Sequence, residues 1–323
     1  MIQDTGARSS RFDGVTGPIV VCDASQDRTV IDQLLAVGIR TQAVLVEPAG
    51  RNTAPAVAAA ALQLDTETVM AVFPSDHLVI DNEAFDRALE KAVDSAVHGA
   101  LVTFGVVPTR PDTGFGYIEA GESVNGVAAV RRFVEKPDRA TAEGYISAGY
   151  LWNSGMFVFT AGAILEEMRE WAPGMVEAVA GSVASASREN DGSTLRLGLE
   201  FQEAPSVSID ESVMEKTARG AVVSLDAGWS DLGSWNSLWE VESPQGETVV
   251  RGQVYTDNVE RSYIRSESRP VAVIGLDDVI VVETSDAVLV MDRHSAQAVR
   301  PAAEWFAGLP RVDRGSPGPT ESP

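Results

Sequence analysis

The sequence predicts an α/β fold with a mostly parallel sheet and a small all-β appendage near its C-terminal end. From residue 18 onward, short β-rich runs alternate with segments of helical periodicity, a pattern typical of a parallel sheet covered by helices. After about Glu240 the pattern changes to β-runs separated by turns. The chain has 323 residues, of which 44% are hydrophobic, so it can bury a large core.

The first part of the chain predicts alternating strands and helices. The expected elements are strands at 18–23, 42–46, 68–73 and 101–107, and helices at 26–37, 53–64 and 83–97. In the first helix Leu34, Leu35 and Val37 are expected to face inward, and Gly38 to end the helix. Thr53 is expected to cap the second helix.

The middle of the chain is less regular, and the end is β-rich. The expected elements are a loop at 111–117, strands at 128–133 and 156–159, a helix at 164–171, a surface loop or fraying helix at 181–195, a helix at 210–217 and a strand at 221–225. Four further strands are expected at 262–265, 271–274, 279–283 and 287–291. These patterns predict an α/β domain at residues 1–240, a small β domain at 241–310 and a disordered tail at 311–323.

The charge balance narrows the function. The sequence has 47 acidic and 25 basic residues, a formal charge of -22, which would repel nucleic acids and anionic membranes. A phosphate site in such a protein must therefore depend on local Arg and Lys, on backbone N–H groups or on a divalent cation. Cys22 is the one cysteine, which indicates a reducing compartment. Because the chain has neither a leader pattern nor a long apolar run, we expect a soluble, cytoplasmic protein.

Two carboxylates are candidate metal ligands. Asp76 follows an apolar strand, at the end of a strand where open α/β sheets place their ligands. Asp231 also follows a strand and precedes a helical segment. If the two converge, they suit Mg²⁺, which takes one or two carboxylates and completes its shell with water and phosphates. Each could equally be a turn former or a helix cap.

The turn around Arg51 and Asn52 joins a strand to a helix. It offers a guanidinium, an amide and a helix N-terminus, which together can face an anion or a base edge. A Thr53 cap with Pro55 in the first turn accounts for those two residues. It leaves Arg51 and Asn52 unexplained.

Polar residues at three other strand ends or turns are candidate sugar contacts. Lys136 could reach a phosphate and Glu135 a sugar hydroxyl, although a charged strand end in solvent is the ordinary case. Gly116 would let backbone approach a ligand closely, or would only turn the chain. Asn153 could bind sugar hydroxyls, or only bridge backbone groups in a turn.

Taken in order, segments of the chain resemble the bacterial mannose-1-phosphate guanylyltransferases, within the sugar-phosphate nucleotidyltransferase family. The segments are 50–56, 73–77, 113–118, 133–137, 152–157 and 229–235. The similarity runs from about Pro18 to Arg293, and the order of the segments is specific for this fold. The segments 51–55 and 229–235 favour the mannose and GTP branch over relatives that use glucose with UTP or dTTP.

The resemblance implies a Rossmann-like sheet of the nucleotide-diphospho-sugar transferase type and a role for each candidate residue. The implied roles are Mg²⁺ ligation by Asp76 and Asp231, catalysis by these two and Lys136, nucleotide contact by Arg51 and Asn52, and a mannose phosphate pocket lined by Gly116, Glu135, Lys136 and Asn153. In the implied reaction the sugar 1-phosphate attacks the α-phosphorus of GTP and releases pyrophosphate. The expected partners are GTP and mannose 1-phosphate, with a homodimer as the candidate assembly.

The chain departs from the family at its beginning. Members start with a strand and a Gly-rich loop carrying an Arg and then a Lys, and no such segment precedes Pro18. Without that first strand a central position of the sheet would be empty. Without the loop's N–H groups and its Arg, activity is expected to be impaired. The alternatives are a non-catalytic sugar-nucleotide-binding or regulatory homologue, and a related transferase that uses another sugar or base.

Overall fold

The computed structural model describes residues 1–12, 14–189, 192–243 and 245–308. The chain divides into two compact units, Met1–Asp231 and Leu232–Pro323. The tail expected at 311–323 lies outside the described residues, as do residues 190 and 191 of the loop expected at 181–195.

The first unit is built from alternating helices and strands. Its helices are α1 (Ile2–Ser9), α2 (Asp27–Ala36), α3 (Thr53–Ala61), α4 (Asn82–Ala96), α5 (Arg139–Ser147), α6 (Ala161–Trp171) and α7 (Pro173–Ala184). Its strands are β1 (Ile19–Asp23), β2 (Ala43–Glu47), β3 (Val69–Val72), β4 (Leu101–Val106), β5 (Tyr117–Val124), β6 (Val127–Val134), β7 (Leu151–Thr160), β8 (Ser187–Arg188), β9 (Thr194–Arg196) and β10 (Gly220–Ser224). A 3-10 helix covers Leu199–Glu203 and a π-helix covers Asp210–Met214.

The strands of this unit form two sheets, and the predicted α/β class is confirmed. One sheet has the order β1-β2-β9-β8, with parallel pairs β1–β2 and β2–β9. The other has the order β3-β7-β4-β10-β6-β5; β3, β4, β10 and β5 run one way, and β7 and β6 the other. Among the described residues, β1 pairs only with β2 and β3 only with β7.

One core joins the two sheets through α3. The run of alanines in α3 is almost wholly buried, and such small side chains let a helix lie close to its neighbours. The fully buried Leu45 of β2, Phe159 of β7 and Phe201 belong to the same cluster. Residues 43–46 of β2 are all buried, so both faces of this strand are covered, which explains why it reads as an unbroken apolar run.

Several local predictions differ from the structure. Of the three residues predicted to face inward at the end of α2, only Leu34 is buried, whereas Leu35 and the C-cap residue Val37 are 50% and 46% exposed. The helix covers the core with a narrow stripe that contains Val30 and Leu34. The cap of α3 is Asn52, whose side chain accepts from the backbone N–H of Thr53. Strand β5 and helix α7 were not predicted.

The second unit is β-rich, as predicted. It contains α8 (Trp235–Glu242), β11 (Val249–Arg251), β12 (Val254–Asp257), β13 (Tyr263–Ser266), β14 (Val271–Ile274), β15 (Val279–Glu283), β16 (Val288–Asp292) and α9 (Val299–Ala307). Parallel pairing links β11, β13 and β15 in one sheet and β12 with β14 in another. Successive turns of the chain thus stack on one another. No helix in the described ranges is long and apolar enough to cross a membrane.

Candidate active site

A short antiparallel bridge brings together the segments that carry the two candidate metal ligands. The backbone N–H of Leu78 donates to the carbonyl of Ser230 at 2.8 Å, and the N–H of Ser230 donates to the carbonyl of Leu78 at 3.0 Å. Asp76 and Asp231 lie within two positions of this bridge on their own segments. Asp76 is exposed and Asp231 is half-buried. The tertiary structure therefore joins two segments that are far apart in sequence.

Side-chain contacts reinforce this bridge. The indole N–H of Trp229 donates to Nδ1 of His77 at 3.3 Å, and the two rings meet edge to face with centroids 5.4 Å apart. Burial lowers the pKa of His77 to about 4, with a further lowering from Arg8, while Asp76 acts in the opposite direction. His77 is therefore neutral near pH 7, and adds no positive charge beside Asp76.

An aromatic cluster ties two more of the sequence motifs to the same place. Phe115 lies 4.9 Å from the ring of Trp152 and 5.5 Å from that of Trp229, edge to face in both cases. The guanidinium of Arg110 lies over the Trp152 ring at 5.5 Å. These contacts, with those of His77, connect the segments around residues 77, 115, 152 and 229.

Three candidate sugar contacts pack against one another. The N–H of Asn153 donates to the carbonyl of Gly116 at 2.8 Å. A Cβ atom placed on Gly116 would lie 2.6 Å from Oε2 of Glu135 and 3.2 Å from Cβ of Asn153. Only glycine fits between these two side chains without displacing one of them.

Asn153 lies in β7, so the alternative in which it only bridges backbone groups in a turn is wrong. The pairing of β7 with β4 shifts register between Thr103 and Gly105, and such a bulge re-aims side chains. The Asn153 side chain is 7% exposed and its amide oxygen accepts from the Thr103 hydroxyl at 2.7 Å. Asn153 is thus a buried, hydrogen-bonded strand residue.

Lys136 and Glu135 follow β6 and form an ion pair. Lys136 Nζ lies 3.1 Å from Glu135 Oε1. Burial raises the pKa of Glu135, and Glu211 and Glu215 raise it further, while Lys136 lowers it. Lys136 has a left-handed φ of 45°, a strained conformation for a lysine. The three carboxylates of Glu135, Glu211 and Glu215 thus lie near a single lysine. This excess of hydrogen-bond acceptors favours ligands that donate hydrogen bonds.

Asp210 lies next to Asn153 and is influenced by the charges of Glu135 and Lys136. The sequence predicted only a helix over Asp210 and no role for it. Its side chain accepts from the Asn153 amide at 2.8 Å. Burial raises the pKa of Asp210 to about 7, and the charge of Glu135 acts in the same direction. One sequence signal could have indicated that Asp210 is buried. It follows Ile209 and precedes the apolar pair at 213–214 by three and four residues, which places it on the apolar side of a helical segment.

Arg51 and Asn52 make structural contacts instead of joining this group directly. The Arg51 guanidinium donates to the carbonyl of Gln202, and Asn52 caps α3 with a φ of 66°. The Thr53 hydroxyl accepts from the N–H of Ile209 at 3.0 Å. The start of α3 thereby fixes the backbone next to Asp210.

Family comparisons agree with the two-unit division in broad terms. Residues 1–247 match the model of the nucleotidyl transferase family. Residues 254–303 match the mannose-phosphate isomerase/GMP-like β-helix domain.

Individual relatives are similar over nearly the whole chain. The xanthan biosynthesis protein XanB of Xanthomonas campestris pv. campestris (strain B100) is 45% identical over 93% of this chain and 64% of its own length. A mannose-1-phosphate guanylyltransferase of Escherichia coli is 42% identical over 97% of this chain and 68% of its own length. The chain thus spans about two thirds of the length of these curated relatives.

A solved structure is similar in fold as well as in sequence. A Thermus thermophilus protein, described as a mannose-1-phosphate geranyltransferase, superposes with a TM-score of 0.83 at 32% identity, over 95% of this chain and 89% of that protein. The family match, the relatives and this fold agree with one another. The chain therefore belongs to the nucleotidyl transferase family, in the branch of the mannose-1-phosphate guanylyltransferases.

Proposed function

We propose that this chain transfers guanylyl from GTP to mannose 1-phosphate, giving GDP-mannose and pyrophosphate, in the cytoplasm. The observation that carries the proposal is the Leu78–Ser230 bridge, which joins the segments of the two candidate metal ligands. The aromatic cluster of Phe115, Trp152 and Trp229 links these segments to those of Gly116 and Asn153. The guanylyltransferase named among its relatives supports the choice of substrates.

Asp76 and Asp231 would hold Mg²⁺. The donor set fits this ion, since Mg²⁺ takes one or two carboxylates and keeps water and phosphate oxygens as its other ligands. Within the described ranges no group of three or more His, Cys, Asp or Glu side chains is placed to form a closed metal cage. When bound, Mg²⁺ would offset charge on the α-phosphate and on the departing pyrophosphate.

The chain's own residues would orient the sugar phosphate. Glu135 would accept a hydrogen bond from a sugar hydroxyl, and Lys136, whose side chain is exposed beside it, would reach the phosphate. The phosphate of the sugar is already ionised near pH 7, so its oxygen needs no general base before it attacks. Positioning and charge stabilisation, without a covalent intermediate, would then supply the rate.

Arg51 and Asn52 remain proposed neighbours of the nucleotide. Their contacts with Gln202 and with the α3 N-terminus would hold the turn in shape, and the turn would line the nucleotide site. A homodimer remains the proposed assembly, which light scattering would test.

The proposal is tested by pyrophosphate release from GTP and mannose 1-phosphate in the presence of Mg²⁺. Asp76→Asn and Asp231→Asn should each lower kcat/KM by about 100-fold or more, the usual cost of removing a group that stabilises transition-state charge. Asp32→Asn, on an exposed position of α2, is the matched control and should leave kcat/KM unchanged.

Binding measurements separate the alternatives. GDP-mannose binding without pyrophosphate release would favour the non-catalytic homologue. Turnover without a preference for GTP and mannose 1-phosphate over UTP, dTTP and glucose 1-phosphate would favour a related transferase. If neither binding nor release is found, the proposal fails.

A further inference from the structure

A buried chain of hydrogen bonds runs through the middle of the proposed sugar site. The Thr103 hydroxyl in β4 donates to the amide oxygen of Asn153 in β7 at 2.7 Å, and the amide nitrogen of Asn153 donates to Oδ1 of Asp210 at 2.8 Å. All three side chains are buried, with Asp210 the most exposed at 9%. The chain therefore ends on a carboxylate that has little contact with water.

Thr103 by itself does not determine which way the Asn153 amide points. Its hydroxyl also lies 3.1 Å from the carbonyl of Met156, and it has only one proton to donate. It can donate to the Asn153 oxygen, or it can donate to Met156 and accept from the Asn153 nitrogen. Both amide orientations are satisfied at this end of the chain.

Asp210 does determine the orientation, as long as it is ionised. A carboxylate can only accept, so it requires the N–H side of the Asn153 amide. A protonated Asp210 can donate instead, and then the amide oxygen can face it equally well. The ionisation state of Asp210 and the orientation of Asn153 are therefore coupled.

The surroundings of Asp210 place this coupling near neutral pH. Burial is the main cause that raises its pKa to about 7, and Glu135 raises it too, whereas the Asn153 hydrogen bond and Lys136 lower it. The charged groups that act on it thus come from the end of β6. The hydrogen bond from β7, by contrast, comes from the neutral Asn153, which is itself bonded to the neutral Thr103 of β4.

The backbone also holds Asp210 in an unusual place. It begins the π-helix Asp210–Met214, in which the N–H of Glu215 donates to the carbonyl of Asp210 at 3.0 Å. Short π-helices are rare and are frequent at functional sites. The Thr53 hydroxyl accepts from the N–H of Ile209, so the residue before this π-helix is anchored to the start of α3.

Gly116 places Asn153 and Glu135 around the same point. In the proposed site a sugar hydroxyl beside these two side chains would donate to the Glu135 carboxylate and accept from the second amide N–H of Asn153. It meets both requirements only if Asn153 presents nitrogen, and not oxygen, on that side of its amide.

We propose that Asp210 is a positioning residue for the sugar, which when ionised holds the Asn153 amide so that it donates to a sugar hydroxyl while Glu135 accepts from it. The inference rests on the proposed function, because it requires a sugar phosphate at Gly116. Protonation of Asp210 releases the amide, and sugar binding weakens as the pH falls through about 7.

Calorimetry with GDP-mannose tests this proposal, because this ligand has no group that titrates between about pH 6 and about pH 8. Wild-type protein should bind GDP-mannose several-fold more weakly at the lower pH. Asp210→Asn, which cannot ionise, should bind it about 10-fold more weakly than wild type at about pH 8, the cost of one oriented hydrogen bond. Its affinity should not change with pH.

GDP, which lacks the sugar, serves as the reference ligand at about pH 8. Asp210→Asn should bind GDP as wild type does, so the loss is confined to the sugar. In turnover the same variant should raise KM for mannose 1-phosphate and leave KM for GTP unchanged. Glu211→Gln removes one charge from the same turn at an exposed position, and should bind GDP-mannose within about 2-fold of wild type.

The outcomes distinguish this inference from the function on which it rests. If wild type binds neither GDP nor GDP-mannose, the proposed function fails. If it binds both, and Asp210→Asn has the affinity and pH response of wild type, the proposed function stands and the role of Asp210 is wrong. Should Asp210→Asn not fold, wild-type affinity for GDP-mannose that is constant across this pH range would also overturn the inference.

Discussion

Replacing Gly116 by alanine tests the geometry of the proposed sugar pocket. The new Cβ atom would lie 2.6 Å from Glu135 Oε2, 3.2 Å from Cβ of Asn153 and 3.3 Å from the ring of Phe133. Asn153 and Phe133 are buried parts of the sheet, so they cannot retreat easily. The flexible carboxylate of Glu135 must therefore move until an ordinary contact of 3.4 Å or more is restored.

The expected effect of Gly116→Ala is large on activity and moderate on stability. Misplacing a reacting or binding group by about 1 Å can cost up to about 100-fold, so we expect kcat/KM for mannose 1-phosphate to fall by about 10- to 100-fold. The free energy of unfolding should fall by about 1–3 kcal/mol, as is usual for an overpacked site. Pyrophosphate release and urea unfolding measure the two quantities.

Gly144→Ala is the matched control. Gly144 lies in α5, and a Cβ atom there would meet no atom within 4 Å. Alanine in a helix is favoured over glycine by roughly 0.5–1 kcal/mol, so this variant should be slightly more stable and fully active. If Gly116→Ala has the same kcat/KM as Gly144→Ala, then Glu135 does not contact the substrate and the pocket is misassigned.

Two further predictions concern other parts of the molecule. In the second unit, Glu283 accepts hydrogen bonds from the backbone and side chains of Ser268 and Arg269, which hold the pKa of its carboxyl well below the ordinary 4.5. The stability contributed by the ionised Glu283 is complete above about pH 4.5 and is lost as the pH falls below that value. In urea unfolding, Glu283→Gln should therefore lower the midpoint at pH 7 and remove this pH dependence. An unchanged midpoint would contradict the prediction. In the first unit, Phe115→Leu removes two edge-to-face ring contacts worth about 0.5–1.5 kcal/mol each and should lower both the free energy of unfolding and kcat/KM. Trp171→Leu, at a site 43% exposed, is its control and should leave kcat/KM unchanged, whereas equal kinetics for both variants would show that the aromatic cluster does not position the site.

The elements that the sequence predicted well are those with a single strong local signal. The four strands predicted after residue 260 all occur in the second unit, because each is a short β-run between turns. The helix α4 shows Phe85, Leu89 and Ala92 at helical spacing and all three are buried. At the end of α2, by contrast, Leu35 and the C-cap residue Val37 carry the same apolar signal and remain exposed. Only the tertiary packing decides how wide an apolar stripe is covered.

The candidate site was predicted by residue type and order, and its arrangement was not. The strand expected at 156–159 is longer in the structure, and β7 includes Asn153. Its irregular pairing with β4 is a property of the paired strands and not of either segment alone. Asp210 was passed over because an aspartate within a short helical segment looks like an ordinary surface residue. Its burial follows from contacts with β7 and with the start of α3, which lie far away along the chain.

The sequence by itself determined the α/β class, the β-rich second unit and the residue types available for a nucleotidyl transfer, because apolar periodicity and short motifs are local properties of the chain. Only the tertiary structure decided which of these residues meet. The bridge between Leu78 and Ser230, and the hydrogen bonds that link Thr103, Asn153 and Asp210, join segments tens of residues or more apart. Such contacts depend on how the sheet and its loops pack, and no local pattern encodes them.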